Sequence, residues 1–593
     1  MTGALVYHNS KTISGTQNSS TWTPTLTKGE YIWHCRAEDA VGLVVVGFDQ
    51  MLTIVEPEVI LLSPHDKDGV LDKTNDTIAF TFYIRYYDSP ATCTLYINGI
   101  ASGTVSGVNN SVQTTIYANH SLAAGKHTWN ITCTAGTQTK TSETRTFSLI
   151  FTPDMSDEPL VPNVVAVSCA EYNSSYNNQV IALEKDMFDD NQTNNHACIR
   201  ITGQNVTLDC NGHKVIYNGT NTAITRHGTY VQGSNNTKII NCWFEKFTYG
   251  ITYDNSSSGY LRNNTLLNNT NFGAYFYKSD KGYIYKQNAT DNLRGVVLSN
   301  SNDNTITNNT ITQTENGLVS TDNNNWGIQV YNSNITNIYY NNITNQTNKT
   351  NGWGVVIHGV SENPIVRYNT ITNTSRGGIW NDLNSNGFFE YNTISLSKYF
   401  GIYGRRTNQS YIKYNDISDI GSYGILAWWQ ANNNTIEGNT ITNSGRSIMT
   451  GNFGSENKII NNTITNSTVW CGVLVYYNTA NNQIYGNNIA GNTSWEICTY
   501  RNTTNDVIKN NSVCGRYGIL AWHLINNVTI KNNNINGSCF ADRNSTNYWG
   551  VGVQIGSGTN NSIIKDNNIS DFVRGITEYN YANYQGYNNT IRN

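Results

Sequence analysis

Three ionisable residues recur at nearly equal intervals in the middle of the chain and could carry out chemistry together. His358 could act as a base, Asp382 as an acid and Arg405 as a cation that neutralises an anionic substrate. If they share one face of the protein, the set suits a polysaccharide lyase or a hydrolase. The simpler alternative is a solvated ion pair between Asp382 and Arg405. A second carboxylate at the spacing that glycoside hydrolysis needs is not evident.

A second group of candidates consists of aromatic residues from successive repeats. Exposed aromatic rings in a row stack on sugar rings or anchor another protein chain, whereas rings covered by an inserted loop would only support the fold. The predicted binding set is Trp428, Trp429, Tyr476, Tyr477, Tyr500 and Trp522. A further set, at the position before the glycine of the repeat (Glu496 replaces the glycine after Trp495), is interpreted as a structural packing ladder: Trp326, Trp353, Phe400, Tyr423, Trp495 and Tyr517.

The segment "NDLNSNGFFE" resembles the start of a calcium-binding loop. Its candidate ligands are Asp382, Asn384, Asn386 and Glu390. Position twelve of such a loop is Thr393, so the bidentate glutamate is missing. Asn-Gly turns occur elsewhere in this chain, and an ordinary turn is the alternative. Apart from this possible Ca²⁺ site, no cofactor is predicted.

The eleven cysteines indicate an oxidising compartment. Cys93 and Cys133 flank a tryptophan and are predicted to form a disulfide between two sheets of a sandwich. Cys169 and Cys198 are predicted to cross-link the start of the repeat array. Cys210 and Cys242 are expected to face each other on stacked coils. The pairing of Cys471, Cys498, Cys514 and Cys539 stays open, and these four could form disulfides, remain buried thiols or hold zinc.

These candidates belong to a long repeat array, which must position them. An Asn-x-Ile phrase such as "NNTITNST" returns in most cases after 22 to 25 residues, with longer gaps where a loop is inserted, and a second phrase such as "GILA" lies between copies. Segments this short are strands, and no helical periodicity occurs in the array. Residues 164–593 are therefore predicted to form a right-handed parallel β-helix, a pectate-lyase-like solenoid of about 18 coils spaced by about 4.8 Å.

The residue after the glycine is an aliphatic β-branched residue in coil after coil. In parallel stacking these side chains lie above one another and form a continuous internal column. The asparagines suit left-handed corners, and their amides can hydrogen-bond to the asparagine of the next coil. Members of the column are Ile328, Val355, Ile379, Ile402, Ile425, Ile448, Val473, Ile497, Ile519, Val553 and Ile576.

The N-terminal part has a different pattern of short alternating strands. Residues 55–152 are predicted to form an immunoglobulin-like β-sandwich. Residues 1–54 resemble the second half of the same unit, with the first strands missing or donated by another chain. Residues 153–163 contain several prolines and are predicted to be a linker. The fold class is therefore all-β.

Composition excludes several functional classes. The net charge is −4 and only 13% of residues are charged, so there is no basic face for nucleic acid. No stretch is apolar enough to span a membrane. The start lacks a signal sequence, which we interpret as a mature, trimmed or incomplete N-terminus. Candidate N-glycosylation sites include Asn130, Asn205, Asn235, Asn308, Asn342, Asn461 and Asn568.

The segments "SCAEYNSS", "CIRITGQNVTLDCNGHKVIYN" and "NTKIINCWFEKFTYGITYDNS" resemble the opening of the NosD-like (CASH) family of right-handed β-helix proteins. Many archaeal cell-surface proteins contain such domains beside immunoglobulin-like repeats. The resemblance covers residues 164–593 and implies a surface or carbohydrate-related role. It transfers no catalytic residue.

The sequence thus favours an extracellular structural or adhesive cell-surface glycoprotein, part of a surface layer, filament or sheath. Its expected partners are glycans or cell-surface proteins, with N-glycans attached covalently. A polysaccharide-active enzyme is the first alternative and a calcium-dependent adhesin the second. The half sandwich at one end and the interrupted repeat at the other suggest head-to-tail self-assembly.

Overall fold

The computed structural model contains two compact units, residues 1–158 and 159–593, which are described separately. Nearly all regular structure is β-strand, with one short 3-10 helix at Ser174–Tyr176. The described residues are 10, 29–38, 44–46, 50–54, 56–64, 68–72, 78–119, 122, 125–151, 161–190, 196–219, 225–313, 324–347, 349–491, 494–539, 550–556, 558–579 and 588–592.

The first 54 residues contribute two small antiparallel sheets. Gly29–Trp33 pairs with Gln50–Ile54, and Arg36–Glu38 pairs with Val44–Val46. Cys35 lies between two of these strands as an exposed free thiol. Most of the predicted half sandwich falls outside the described residues, as does most of the predicted linker. Both assignments stay predictions.

The rest of the N-terminal unit contains two packed sheets. One sheet contains Glu58–Ser63, Ala79–Arg85 and Thr114–Tyr117. The other contains Asp68–Asp72, Ala91–Ile97, Ile100–Val108, Gly125–Ala135, Gln138–Thr141 and Arg145–Phe151. Phe80 of the first sheet packs edge-on against Trp129 and Phe147 of the second, at ring-centre distances of 4.9 and 5.5 Å. The sandwich is present, whereas its immunoglobulin-like topology stays a prediction.

The disulfide between Cys93 and Cys133 is present, but it does not join the two sheets. The two cysteines are directly opposite each other on neighbouring antiparallel strands of one sheet. Side chains at such opposed positions point to the same face and come within bonding distance. The expectation of an inter-sheet disulfide is therefore wrong, and aromatic packing connects the sheets instead.

The second unit is a parallel β-helix with three strands per coil. We name the three parallel sheets by their order along each coil, beginning with the sheet of 18 strands. Sheet 1 contains Val164–Ala166, Val180–Leu183, Thr207–Asp209, Lys238–Ile240, Tyr260–Arg262, Tyr283–Tyr285, Thr305–Thr307, Asn337–Tyr339, Ile365–Arg367, Phe388–Glu390, Tyr411–Lys413, Thr435–Glu437, Lys458–Ile460, Gln483–Tyr485, Val507–Lys509, Thr529–Lys531, Ile563–Lys565 and Thr590–Arg592.

Sheet 2 follows sheet 1 after a tight corner. Its strands are Met187–Asp189, Lys214–Tyr217, Trp243–Glu245, Thr265–Leu267, Asn288–Thr290, Thr310–Thr312, Asn342–Gln346, Thr370–Thr374, Thr393–Ser397, Thr463–Thr465, Asn488–Ala490, Ser512–Cys514, Asn534–Asn536 and Asn568–Ser570. Two long strands, Asp416–Trp428 and Thr440–Gly451, continue through the next corner and belong to sheets 2 and 3 together.

Sheet 3 completes each coil. Its other strands are Ala170–Tyr172, Ala197–Ile201, His227–Gln232, Tyr249–Asp254, Phe272–Tyr277, Arg294–Ser299, Asn324–Tyr331, Asn351–His358, Gly377–Asp382, Phe400–Arg405, Cys471–Tyr476, Trp495–Tyr500, Tyr517–Trp522, Val551–Gly556 and Arg574–Tyr579. A minor sheet pairs Thr479–Ala480 with Thr503–Thr504.

The predicted internal column is confirmed by the strand register. Ile402 pairs with Ile425, Ile425 with Ile448, and Ile448 with Val473. All four side chains are buried in one continuous core. Burying an isoleucine contributes roughly 1.5–3 kcal/mol. Each coil between residues 305 and 555 buries at least three apolar side chains in this core. Stacked aliphatic columns therefore supply most of the cohesion between coils.

Paired asparagines explain the recurrent "NN" in the repeat. Asn461 is exposed and adopts the left-handed conformation, with φ of 52°, so it makes the corner. Its neighbour Asn462 is buried, and its amide nitrogen donates to Asn487 Oδ1 at 2.9 Å. Asn462 Oδ1 in turn accepts hydrogen bonds from the main-chain and side-chain nitrogens of Asn439. The two predicted roles of asparagine thus fall to adjacent residues.

Four disulfides cross-link coils of the β-helix. The predicted bond between Cys169 and Cys198 is present. The pairings left open by the sequence are resolved as Cys210–Cys242, Cys471–Cys498 and Cys514–Cys539. The four C-terminal cysteines are therefore used in disulfides rather than in a zinc site.

Candidate functional site

The outer face of sheet 3 brings the predicted catalytic and aromatic residues together. Three positions of each glycine-containing strand point outward: the residue before the glycine and the second and fourth residues after it. In the strand Phe400–Arg405 these are Phe400, Tyr403 and Arg405, and their equivalents in other coils form three outward columns along the β-helix. The glycine itself faces the next coil: a Cβ on Gly401 would lie 2.4 Å from the carbonyl oxygen of Gly424. This close approach favours glycine and explains its recurrence in the sequence, although Ser447 and Glu496 occupy the equivalent position in two coils.

Asp382 and Arg405 form an ion pair across neighbouring coils. They occupy paired positions of adjacent strands, and Arg405 Nε donates to Asp382 Oδ1 at 3.0 Å while Arg405 Nη2 donates to Oδ2. Arg406 Nη2 lies 3.2 Å from Asp382 Oδ1. Asp382 is buried, whereas the two arginine side chains are partly exposed. The carboxylate is therefore held by two guanidinium groups and is not free to act as an acid.

His358 lies one coil before Asp382 on the same outward column. Its ring packs against Tyr331 and Trp326, with ring centres 4.8 and 5.6 Å away, and its Nε2 lies 2.9 Å from the side-chain amide of Gln329. Burial lowers the pKa of His358, and the nearby Asp382 carboxylate opposes that effect only in part. The imidazole is thus neutral near pH 7 and can accept a proton.

The C-terminal half of this face forms a strip with an aliphatic centre and aromatic sides. We call it the aromatic strip. Its buried centre consists of Leu426, Met449, Leu474, Cys498 and Leu520. Two outward columns flank this centre and pack on it with partly buried or buried rings: Phe400, Tyr423, Trp495 and Tyr517 on one side, and Trp428, Tyr476, Tyr500 and Trp522 on the other.

The rings of the second column are parallel to one another. Trp428 and Tyr476 have ring centres 6.2 Å apart and planes at 12°, and Tyr476 and Tyr500 are 6.0 Å apart at 6°. Trp429 and Tyr477, the residues directly after two of these strands, are 51% and 38% exposed. All six predicted binding residues therefore lie on one face, and none of them is fully buried.

The most exposed rings are held in an unusual backbone conformation. Trp429 and Tyr477 have φ of 54° and 61°, whereas the coil between them places Asn452 at the same corner with φ of 56°. Asparagine tolerates the left-handed region, but a bulky side chain is strained there. Bulky residues also occupy left-handed corners away from this face, such as Tyr340 and Tyr414, so the conformation is a general feature of the corners and not a mark of the strip.

Two arginines on the strip were not predicted. Arg446 stands in the flanking column otherwise rich in aromatic rings, and its Nη1 donates to Tyr423 Oη at 2.9 Å. Arg501 directly follows Tyr500, and its Nη1 donates to Tyr476 Oη at 2.9 Å. The signal that could have found Arg446 is its interruption of the aromatic column. A column interpreted as a structural ladder of rings gives no reason to expect a charge.

Family models match most of the β-helix. A model described as periplasmic copper-binding protein (NosD) matches residues 163–354, and a right-handed β-helix model matches residues 320–464 and 400–569. The β-helix belongs to the NosD-like family of right-handed β-helix proteins. No curated protein matches the chain.

Solved structures share the chain path of this NosD-like β-helix. They include the periplasmic alginate epimerase AlgG (13% identity, TM-score 0.31, 60% of this chain and 77% of that chain). DFA-IIIase from Arthrobacter chlorophenolicus A6 without its lid matches at 9% identity and TM-score 0.32, covering 56% of this chain and 83% of that chain. The mannuronan C-5 epimerase AlgE6 A-module from Azotobacter vinelandii matches at 14% and 0.26, covering 66% and 91%. Likeness at these values concerns the fold alone.

The copper binding named in the family description does not fit the residues of this NosD-like chain. Within the described ranges, no group of three or more His, Cys, Asp or Glu side chains is placed to hold a metal ion. Ten of the eleven cysteines form disulfides. We therefore derive no chemistry through copper.

The predicted calcium ligands are engaged elsewhere in the NosD-like β-helix. Asp382 pairs with two arginines, and Glu390 Oε2 lies 2.7 Å from Nη2 of Arg367 on sheet 1. Asn384 is buried, and its amide nitrogen donates to the carbonyl oxygen of Ile357 at 3.1 Å. Asn386 makes a left-handed corner. Calcium would have to displace these bonds, and its binding stays a prediction.

The predicted glycosylation sites all reach the surface. Asn130 is half-buried, and the other six are exposed: Asn205, Asn235, Asn308, Asn342, Asn461 and Asn568. Attachment of N-glycans at these positions stays a prediction. In the parts of the chain that the structure describes, no helix has the length and apolar character to cross a membrane.

Proposed function

We propose that the chain is an extracellular structural or adhesive protein whose aromatic strip binds glycan chains. The observation that carries this proposal is the set of half-exposed and exposed rings aligned over successive coils of sheet 3. A sugar ring has apolar faces of axial C–H groups that pack well on such rings. Because the strip continues through at least five coils, it suits a polymer better than a single sugar.

The packing of the strip supports binding rather than simple stability. Its aliphatic centre is already buried by the flanking columns, so the exposed Trp429 and Tyr477 add little to the core. Rings fixed in place lose little conformational entropy when a ligand binds. The five disulfides fit a secreted protein, which would meet glycans outside the cell.

Binding of the intact chain to a glycan array, followed by titration with the best polymer, tests this proposal. We expect Trp428→Ala and Trp522→Ala each to weaken binding roughly fivefold, since a stacking contact contributes about 1 kcal/mol. Tyr414→Ala is the matched control, because Tyr414 is 45% exposed and left-handed but lies at another corner. Absence of glycan binding, or an equal loss in the control, would overturn the proposal.

A second candidate is a polysaccharide lyase at His358 and Arg405. Neutral His358 could remove the proton α to a uronate carboxylate, while Arg405, fixed by Asp382, pairs with that carboxylate. The glycosidic C–O bond β to the carboxylate then breaks, and the leaving oxygen takes a proton from water. Hydrolysis is less suited, because Asp382 is the one carboxylate in this outward column from Tyr331 to Tyr579 among the described residues.

Ultraviolet absorbance of unsaturated uronic acid during incubation with acidic polysaccharides tests the lyase candidate. We expect His358→Gln to abolish turnover and Asp382→Asn to reduce it by misplacing Arg405. Binding without any turnover by the wild-type chain would leave the adhesive function and exclude the lyase.

A further inference from the structure

We propose that the glycan bound by the aromatic strip is polyanionic, bearing carboxylate or sulfate groups that pair with Arg446 and Arg501. This inference rests on the proposed glycan-binding function and specifies its ligand. The two arginines lie on opposite sides of the buried centre and about two coils apart, which is roughly 10 Å along the β-helix. A polymer lying along the strip would pass between them.

Arg446 is positioned by a tyrosine and has unused donor capacity. Its guanidinium lies 5.4 Å from the ring centre of Tyr423, and its Nη1 donates to the hydroxyl of that residue. Its Nε is buried without a hydrogen-bond partner. No carboxylate of the described chain lies within ion-pair distance of Arg446. Its Nη groups, and not the buried Nε, are therefore the donors with which an anionic ligand would pair.

Arg501 is held in a similar way on the other side of the strip. Its guanidinium lies 5.8 Å from the ring centre of Tyr476 and 5.5 Å from that of Tyr500. Its guanidinium donates to a tyrosine hydroxyl, and among the described residues no Asp or Glu forms an ion pair with it. Because both arginines are ordered by aromatic contacts before a ligand arrives, less side-chain entropy is lost on binding.

The charge of the strip differs from that of the whole chain. The three outward columns from Phe400 to Trp522, with the residue after each strand, contain four arginines and no Asp or Glu: the arginines are Arg405, Arg406, Arg446 and Arg501. Asp382 neutralises Arg405 and Arg406 in part. The chain as a whole carries −4. A local cationic strip on an acidic protein favours an anionic ligand at this face.

Guanidinium groups recognise carboxylate and sulfate through paired N–H donors, and the rings beside them accommodate the sugar. An acidic protein segment could satisfy the arginines as well. The parallel rings over successive coils match a repeating polymer of sugar rings better than a peptide with irregular side chains. The glycan is therefore the ligand we propose, and an acidic peptide is included in the test.

The test measures affinity of the full chain for matched polymers by calorimetry. Polygalacturonate is compared with its methyl ester, dextran sulfate with dextran, and poly-glutamate serves as the peptide arm. We expect the double variant Arg446→Gln, Arg501→Gln to weaken binding of the anionic glycan at least tenfold while binding of the neutral partner is kept. The control Lys531→Gln, Lys565→Gln makes the same charge change on sheet 1 and should have little effect.

The outcomes distinguish failure of the polyanionic-ligand inference from failure of the proposed glycan-binding function. Preference for either anionic glycan over its neutral partner, lost in the arginine variant alone, supports the inference and identifies the anion. Equal binding of charged and neutral glycans overturns the inference but leaves the proposed function. Binding of no glycan overturns both. Poly-glutamate binding as tight as that of the best glycan would overturn the glycan assignment in favour of a protein partner.

Discussion

At the scale of single residues, Asp506 is a buried acid in a column of asparagines. Asn434, Asn457 and Asn482 hold the equivalent position in the three preceding coils, and Asp506 Oδ1 accepts from the main-chain nitrogen of Asn482 at 2.9 Å. Burial raises the pKa of Asp506 to about 6 from 3.8. The folded state therefore prefers the protonated acid, and its stabilising contribution is lost as pH rises from about 4 to about 6.

Asp506→Asn is expected to raise the melting temperature at pH 7 and to change it little at pH 4. The pKa rise corresponds to roughly 3 kcal/mol above pH 6, which the neutral amide avoids. Thermal melts of both proteins at the two pH values measure this effect. Asn457→Asp is the reciprocal control and should create the same pH dependence. An increase in melting temperature at pH 4 equal to that at pH 7 would contradict the raised pKa of Asp506.

Trp429 shows how binding and stability conflict at one residue. Replacement by asparagine, which other coils use at this corner, should relieve left-handed strain and stabilise the protein by about 1 kcal/mol. The same change removes an exposed ring, so affinity for glycan should fall. Melting temperature and titration of Trp429→Asn measure both effects. A loss of stability would show that the tryptophan serves the fold and not the ligand.

At the scale of the repeated element, the two asparagines of each corner should differ in importance. Asn462→Ala leaves the main-chain and amide nitrogens of Asn439 without their shared acceptor and is expected to cost about 2–3 kcal/mol. Asn461→Ala affects only an exposed left-handed corner and should cost about 1 kcal/mol. Comparison of the two melting temperatures tests this order. Equal decreases in melting temperature would mean that the asparagine ladder contributes no more stability than the exposed corner.

The repeat also shows what the sequence could and could not predict about the fold. Two strand phrases per coil were distinguished, and the aliphatic column stacks as expected. The third strand was missed because it uses the same phrase: Ile436 of sheet 1 and Ile441 of sheet 2 both follow Asn-Thr. Periodicity alone does not assign two identical phrases five residues apart to different sheets, because the corner between them has no sequence signal of its own.

The candidate site was predictable in its residues but not in its shape. Column alignment placed His358, Asp382 and Arg405 together, because parallel stacking keeps equivalent positions adjacent. Column alignment did not show that the two aromatic columns pack on a shared aliphatic centre. Residue spacing gives the face to which a side chain points, whereas its contacts depend on its rotamer. The roles of Arg446 and Arg501 depend on that packing, so they emerged only from the structure.

At the scale of the whole β-helix, the disulfides are unevenly distributed. Cys169–Cys198 and Cys210–Cys242 cross-link the coils up to residue 242, and Cys471–Cys498 and Cys514–Cys539 cross-link the coils from residue 471 to 539. The sequence from 243 to 470 contains no cysteine, so non-covalent contacts hold those coils together: strand pairing, core packing, the asparagine ladder and ion pairs such as Asp382–Arg405. In a solenoid each coil contacts only its neighbours, and a lost cross-link acts locally.

Reduction of the disulfides should therefore loosen the cross-linked segments and leave the middle unchanged. We expect faster amide hydrogen exchange in residues 164–242 and 471–539 after reduction, with rates in 261–453 equal to those of the oxidised protein. Removing a native disulfide typically costs 2–5 kcal/mol, enough to change local exchange many-fold. Exchange mass spectrometry with and without reductant measures the pattern, and the variant Cys471→Ser, Cys498→Ser should reproduce only its C-terminal part. Uniform acceleration along the array would show instead that the coils unfold as one cooperative unit.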